Sequence, residues 1–260
     1  MKYPKISIIT PTFNQAKFIE GTIKSVFSQN YPNLEYIVMD GGSTDGTLGI
    51  LKQYGSKIIW RSEKDRGQGE AINKGLRLAT GQILAYINSD DLYEKEAFSK
   101  VADFFQKNPK TKWVYGKCKI IDENDREIRP WVTAYKNFFL RRYNYQALLV
   151  LDYISQPAVF WKREIIDEFG LFDEREYYEL DYEYWLRIGR KYRPGFINDY
   201  LASFRIHTQG KTGRGEFTRH FWQEFEVARK YTRNPALLFL HLLNFSSVVT
   251  TYTLLKVLCR

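Results

Sequence analysis

Two cysteines, Cys118 and Cys259, are all that the 260 residues contain. They stand too far apart for a metal-ligand spacing and are too few for a disulfide framework, so a reducing setting, the cytoplasm, is expected. Met1-Lys-Tyr-Pro4 leads straight into an apolar run with no signal-peptide core or small-residue cleavage site, so no secretory leader is expected. The Lys and Arg behind the formal charge of +9 are scattered, in short clusters such as Arg141-Arg142 and Arg229-Lys230. Without a dense basic helix or an RNA-binding signature, no nucleic-acid partner is expected. The same charge suits a phosphorylated substrate or an anionic lipid surface. Aromatics are plentiful: 19 Tyr and 18 Phe supply the core of one large α/β domain.

Nucleotide signatures are missing where they would count. A dinucleotide fold needs Gly-x-Gly-x-x-Gly after its first strand, where this chain has Thr10-Pro11-Thr12; Gly67-x-Gly69 comes too late and has Ile72 in the third place. Gly210-Lys211-Thr212 hints at a phosphate loop, but Arg205 stands at the first glycine. Serine and cysteine nucleophile motifs are absent.

What is present is an alternation. Ile6–Ile9 and Leu34–Met39 read as buried strands, and between them Phe18, Ile19, Thr22, Ile23, Val26 and Phe27 recur at helical spacing from Ala16 to Gln29, stopped by Asn30-Tyr31-Pro32. Further helices are predicted at Thr47–Tyr54 and Gln68–Ala79, with strands at Lys57–Arg61 and Gln82–Asn88. Such alternation predicts a mostly parallel sheet covered on both faces, with ligands at the carboxyl ends of the strands. Pro11-Thr12, Asp40 and Asn88–Asp91 all fall at those ends and are expected to line one crevice.

Beyond Asp91 the pattern loosens into a helix at Glu94–Lys107, a strand at Trp113–Ile121, an aromatic-rich helical stretch at Ala134–Leu151, a strand at Ala158–Trp161, a helix at Glu179–Lys191 and an extended run at Phe196–Ile206. His207–Glu216 reads as a Gly-rich surface loop. Ala236–Leu255 holds no Asp, Glu, Lys or Arg, which suits a membrane-spanning helix, a helix lying in the membrane surface near Arg229, Lys230 and Arg233, or a buried C-terminal helix.

Adjacent carboxylates at Asp90-Asp91 are hard oxygen ligands suited to Mg²⁺ or Mn²⁺ together with substrate phosphates. The alternative is that Asp91 caps the helix that follows. Further motifs bear on the choice. Ser7-Ile-Ile-Thr-Pro-Thr-Phe-Asn14, Met39-Asp-Gly-Gly-Ser-Thr-Asp-Gly-Thr47, Gly67 with Ala71-Ile-Asn-Lys-Gly75, Asn88-Ser-Asp-Asp91 and Leu180-Asp-Tyr-Glu-Tyr-Trp-Leu-Arg187 resemble, in order, family-2 glycosyltransferases of the GT-A fold. The resemblance spans about residues 5–207.

It implies a transferase domain over 1–215, with a nucleotide half (1–91) and an acceptor half (92–215), followed by a helical tail (216–260) expected at the membrane. Thr10, Pro11, Thr12 and Phe13 would cradle the uracil of a UDP-sugar, and Asp40 would accept from the base. Asp45 reads as turn chemistry. Asp90 would face the ribose, Asp91 would bind Mg²⁺ or Mn²⁺, and His207 would complete the metal or pyrophosphate site. Lys211 and Arg214 would close over the diphosphate. Asn73 and Gly75 would support helix packing. Asp181 would be the general base of an inverting transfer to a hydroxyl of a polysaccharide or lipid-linked glycan at the membrane surface. Gln156–Phe160 would contact that acceptor. Two departures, Asn88 and Leu180 where the family carries acids, would suit a nucleotide-sugar-binding scaffold without activity.

Overall fold

The computed structural model describes residues 3–176, 178–208, 210 and 217–258. Its first half follows the alternation. Strand β1 (Ile6–Thr12) is buried throughout, helix α1 (Ile19–Phe27) buries Ile19, Thr22, Ile23 and Val26 along one stripe, and β2 (Leu34–Asp40) pairs parallel with β1 so that Thr12 lies beside Asp40. Helix α2 (Thr47–Tyr54), β3 (Ile59–Ser62), α3 (Gln68–Leu78) and β4 (Ile83–Tyr86) complete four parallel strands. Because successive strand residues face opposite sides, Ile6 and Ile8 join a core under α1 while Ile9 joins a second core under α3. Gly75 makes the second approach close: a Cβ there would stand 2.5 Å from Ile9 Cγ2. It thus serves helix packing, as does Asn73, whose amide bonds Phe172 at both backbone groups.

The second half departs from expectation. Strand β5 (Leu92–Tyr93) is two residues long, and helix α4 (Ala97–Lys107) starts after Glu96, so Asp91 caps nothing. Then come β6 (Trp113–Ile121), α5 (Pro130–Leu140), α6 (Tyr145–Leu148), β7 (Val159–Lys162), α7 (Glu164–Phe169), α8 (Leu180–Gly189) and β8 (Gly195–Arg205). The sheet runs β3-β2-β1-β4-β7-β6-β8-β5. Strand β7 is antiparallel to β4 and β6, and β5 is antiparallel to β8. The sheet is therefore mixed rather than mostly parallel: after residue 91 the chain no longer inserts one crossover helix per strand, the connection that parallel pairing requires.

Helices α9 (Phe217–Tyr231) and α10 (Pro235–Leu258) follow. Val227 and Ala228 enter the core beside α8, and the α10 residue His241 is buried with Nδ1 2.8 Å from Leu149 O. Among the described residues no helix is long and apolar enough to cross a membrane, which removes the spanning reading of the tail. Lys211, Arg214 and Cys259 lie outside the described residues.

Candidate active site

The loops after β1 and β2 are laced together by short polar side chains. Asn14 accepts from Thr44 N (2.8 Å) while its own N–H meets Ser43 Oγ (2.8 Å); Gln15 N reaches Thr47 Oγ1 and Ala16 N reaches Asp45 Oδ2, each at 3.0 Å. Asp45 also accepts from Thr47, as turn chemistry requires. Asp40 is 2% exposed and accepts from Gly42 N, Ser43 N, Ser43 Oγ and Ser62 Oγ. Three of those bonds converge on Oδ2 and Ser43 Oγ alone meets Oδ1, so one lone pair of Oδ1 is left over. Asp40 thus shapes the loop through Oδ2 and keeps acceptor capacity on Oδ1. Thr10 is buried with its hydroxyl 3.1 Å from Tyr36, Pro11 is buried, Thr12 keeps a buried hydroxyl without a partner, and Phe13 stands exposed at the rim. Asp65, which sequence reasoning passed over, comes from the turn after β3 and lies so near that a Cβ on Gly41 would sit 2.8 Å from its Oδ2. Burial raises its carboxyl above the usual range.

The Asn88–Asp91 turn distributes its two acids differently from expectation. Asp91 is fully buried: Oδ1 accepts from Arg205 N at 2.8 Å and Oδ2 from the Asn88 amide at 3.2 Å. Burial first, then the neighbouring Asp90 charge, pushes its carboxyl well above the ordinary range. Asp90 keeps 18% of its side chain exposed, and its Oδ2 lies 2.8 Å from Nε2 of the buried His207. Asp90, expected on the ribose, is partly exposed beside His207, and Asp91, expected on the metal, is buried. Arg205 is the further residue here, donating to the backbone carbonyls of Asp90 and Asp122 (2.7 Å each) and pairing with Asp125 (2.6 Å). A carboxylate oxygen beside an imidazole nitrogen fits a divalent cation such as Mn²⁺ that takes its other ligands from phosphate. Among the described residues no three His, Cys, Asp or Glu side chains group to hold an ion by themselves.

Across the crevice, Asp181 occupies the first turn of α8 and is partly exposed. Burial raises its carboxyl, while its own N–H and that of Tyr182 act to lower it. Arg187 does not neutralise it, because that guanidinium pairs with Glu183 at 2.5 Å. Around Asp181 gather Asp152, Glu179, His220 and Glu224, with Lys136 of α5 acting from farther off. His220 Nδ1 approaches Glu179 Oε1 to 2.5 Å, and Asp152 N donates to Glu224 Oε1 at 3.2 Å. Burial pushes Asp152 up to about 8 and Glu224 up to about 7, with neighbouring carboxylates adding to each, and it lowers His220. Burial thus favours the protonated form of Asp152, Glu179 and Glu224 and the neutral form of His220. Asp181, open to the crevice and bonded by two N–H groups, is best placed to carry the negative charge.

Glu224 supplies a test of this balance. An acid whose folded pKa is raised binds more protons folded than unfolded, so its stabilising effect is lost as pH rises from the unfolded value towards about 7. Facing it are Asp152, Glu179, His220, Lys136 and Tyr182. Glu224→Gln is expected to raise the thermal midpoint at pH 8 and change it little at pH 5; equal shifts at both would show that the carboxyl is ionised throughout.

Tyr86, at the end of β4, joins the two sides: its buried hydroxyl senses the charges of Asp181, Asp91 and Asp152, and its carbonyl accepts from Gln156 Nε2 at 2.7 Å. The Asn88–Asp91 turn and the Asp181 cluster therefore both lie within electrostatic reach of Tyr86.

With that geometry in view, residues 7–169 match the family model Glycosyl transferase family 2. The chain belongs to glycosyltransferase family 2. A PGL/p-HBAD biosynthesis glycosyltransferase of Mycobacterium bovis is 30% identical over 206 residues, covering 77% of this chain and 75% of that protein. An uncharacterized glycosyltransferase of Rickettsia typhi is 28% identical over 211 residues, covering 78% of this chain and 64% of its own length; the chain spans only 34% of its Rickettsia conorii counterpart. A mannosyltransferase from Pyrobaculum calidifontis, solved with GDP-Man and Mn2+, superposes with a TM-score of 0.68 at 20% identity, covering 98% of this chain and 81% of that one. S. aureus TarS in complex with UDP-GlcNAc gives 0.67 at 20% identity, over 86% and 65%. The likeness confirms a GT-A-like α/β fold for this family-2 member.

Proposed function

We propose that this glycosyltransferase domain moves a sugar from a nucleotide-sugar, a UDP-sugar in the first instance, to a hydroxyl of a glycan or lipid-linked acceptor with inversion at the anomeric carbon. The observation that carries the proposal is that Tyr86, at the end of β4, lies within electrostatic reach of both the Asn88–Asp91 turn and the Asp181 cluster. The Thr10–Phe13 and Asp40–Thr47 loops are already braced and would receive the nucleotide with little reordering. Asp90 and His207 would hold Mg²⁺ or Mn²⁺, which when bound with the donor offsets the diphosphate charge. Asp181, opposite them, takes the proton of the acceptor hydroxyl as that oxygen bonds the sugar carbon and the bond to diphosphate breaks. Gln156, whose Oε1 is buried without a partner, is placed to contact acceptor. The transferase unit would extend past residue 215 through α9, which brings His220 and Glu224 to the Asp181 cluster and Val227 and Ala228 to the core. The exposed Phe239, Leu240 and Leu243 of α10, with Arg229 and Arg233 upstream, would set the tail on the cytoplasmic membrane surface.

Calorimetric titration of UDP with and without Mn²⁺ tests the donor site. Binding strengthened by Mn²⁺ is expected, followed by a β-linked product from an α-linked donor. No binding in either condition, or an α-linked product, defeats the reading. Binding without transfer from any UDP-sugar would favour the inactive scaffold that Asn88 and Leu180 suggest.

A further inference from the structure

Helix α5 turns an unusual face to solvent. At 3.6 residues per turn, Trp131, Ala134, Tyr135 and Phe138 fall within about 100° of one another. Their exposure is not marginal: Trp131 is 52%, Tyr135 48% and Phe138 76% exposed. The opposite side is anchored, with Thr133 and Leu140 buried, Tyr115 Oη donating to Leu140 O at 2.9 Å and the Phe139 ring stacked on Tyr153. The aromatic stripe is thus held outward by a fixed inner face, although exposing three large rings has an unfavourable solvation cost.

Its surroundings indicate the occupant. The helix carries no acid, and exposed Arg141 and Arg142 continue the stripe at its end. In the preceding turn Asp122 accepts from Asn124 N and Arg126 N, Glu123 pairs with Lys17 and the exposed Asp125 pairs with Arg205, while Glu127 is exposed beside them. Trp, Tyr and Phe edged by Arg form the pattern that favours the boundary between acyl chains and anionic head groups. The end of α6, the next helix after α5, receives α10 through His241 to Leu149 O and Asn244 Nδ2 to Val150 O (3.3 Å), so α10 brings a second apolar surface to the chain that follows α5. Lys136, inward on α5, acts electrostatically on Asp152 and Asp181. One helix therefore borders the acceptor side of the crevice and displays aromatics to solvent.

We propose that the outer face of α5 is a membrane-docking surface, with Trp131, Tyr135 and Phe138 entering the interface of an anionic bilayer and Arg141 and Arg142 meeting its head groups. Docking there sets the acceptor side of the crevice against the bilayer, where a lipid-borne hydroxyl is presented. The acceptor assignment rests on the transferase reading, whereas vesicle binding needs neither nucleotide nor acceptor, so the two can fail separately.

The test is co-sedimentation of the full chain with phosphatidylcholine vesicles, with and without phosphatidylglycerol. Binding is expected to need phosphatidylglycerol and to fall at least about tenfold in Trp131→Ser/Tyr135→Ser/Phe138→Ser. Arg141→Ser/Arg142→Ser should remove most of the dependence on anionic lipid. Because the replaced groups are exposed, circular dichroism should show unchanged folding. Brominated lipid supplies a local readout: quenching of tryptophan emission should drop in Trp131→Phe and persist in Trp222→Phe, the exposed tryptophan of α9. Undiminished vesicle binding by the triple variant, including the case in which Phe239, Leu240 and Leu243 carry all of it, overturns the proposal. So does absence of vesicle binding by the unmodified chain, or a concentration-dependent dimer that the triple variant abolishes, which would assign the face to a second copy.

Discussion

Asp181→Asn is expected to lower kcat by about 10²–10⁴-fold, the usual contribution of a positioned general base, while leaving UDP affinity unchanged. The amide keeps the shape of the carboxyl at the start of α8 but cannot take a proton. Stability should move the other way. Burial raises the Asp181 carboxyl, so its ionised form is disfavoured in the folded state, and the Asn variant should melt at or above the temperature of the unmodified protein at pH 8. Lost turnover with a retained or raised midpoint is a signature that mere misfolding cannot give. The acid limb of the kcat profile should lie above the ordinary aspartate range and belong jointly to Asp181 and its neighbours Asp152, Glu179, Glu224 and His220, with Lys136 opposing. Turnover within threefold of the unmodified protein would remove Asp181 from the proton transfer.

The second large effect separates two adjacent acids. Asp90→Asn and His207→Gln are each expected to weaken Mn²⁺-dependent UDP binding at least about tenfold, with little change in melting for Asp90→Asn, whose side chain is partly open. Asp91→Ala should instead destabilise the fold by about 1–3 kcal/mol, because Arg205 N–H and the Asn88 amide lose a buried acceptor. Calorimetry and thermal melts on the same three variants decide the matter. If Asp91→Ala melts normally and loses Mn²⁺ dependence while Asp90→Asn keeps it, the roles are the reverse of those proposed.

The sequence made some of this arrangement legible and hid the rest for identifiable reasons. The parallel half was readable because Ile6–Ile9 and Leu34–Met39 flank a helix whose buried stripe repeats at 3.6 residues. Strand β5, two residues long, and β7, running against its neighbours, leave no local periodicity by which to orient them. That carboxylates cluster at the strand ends was apparent from Asp40 and Asp90-Asp91. Which of two adjacent acids faces the crevice depends on Arg205, more than a hundred positions later, and no short motif records that pairing. Asp152 reaches Asp181 from the loop before β7, and His220 and Glu224 from α9, so their grouping exists only in the fold.

The pairing of β8 with β5 and β6 has a kinetic consequence. Asp91 receives its N–H donor, and Asp90 its imidazole, from a strand made long after the turn itself. Closing so large a loop is slow and comes late in folding. During synthesis, the nucleotide loops can form while the acid turn still lacks Arg205 and His207. Mn²⁺-dependent nucleotide binding is therefore expected only after β8 has paired and brought His207, two residues beyond it, to Asp90, which makes it a clock for that step of folding.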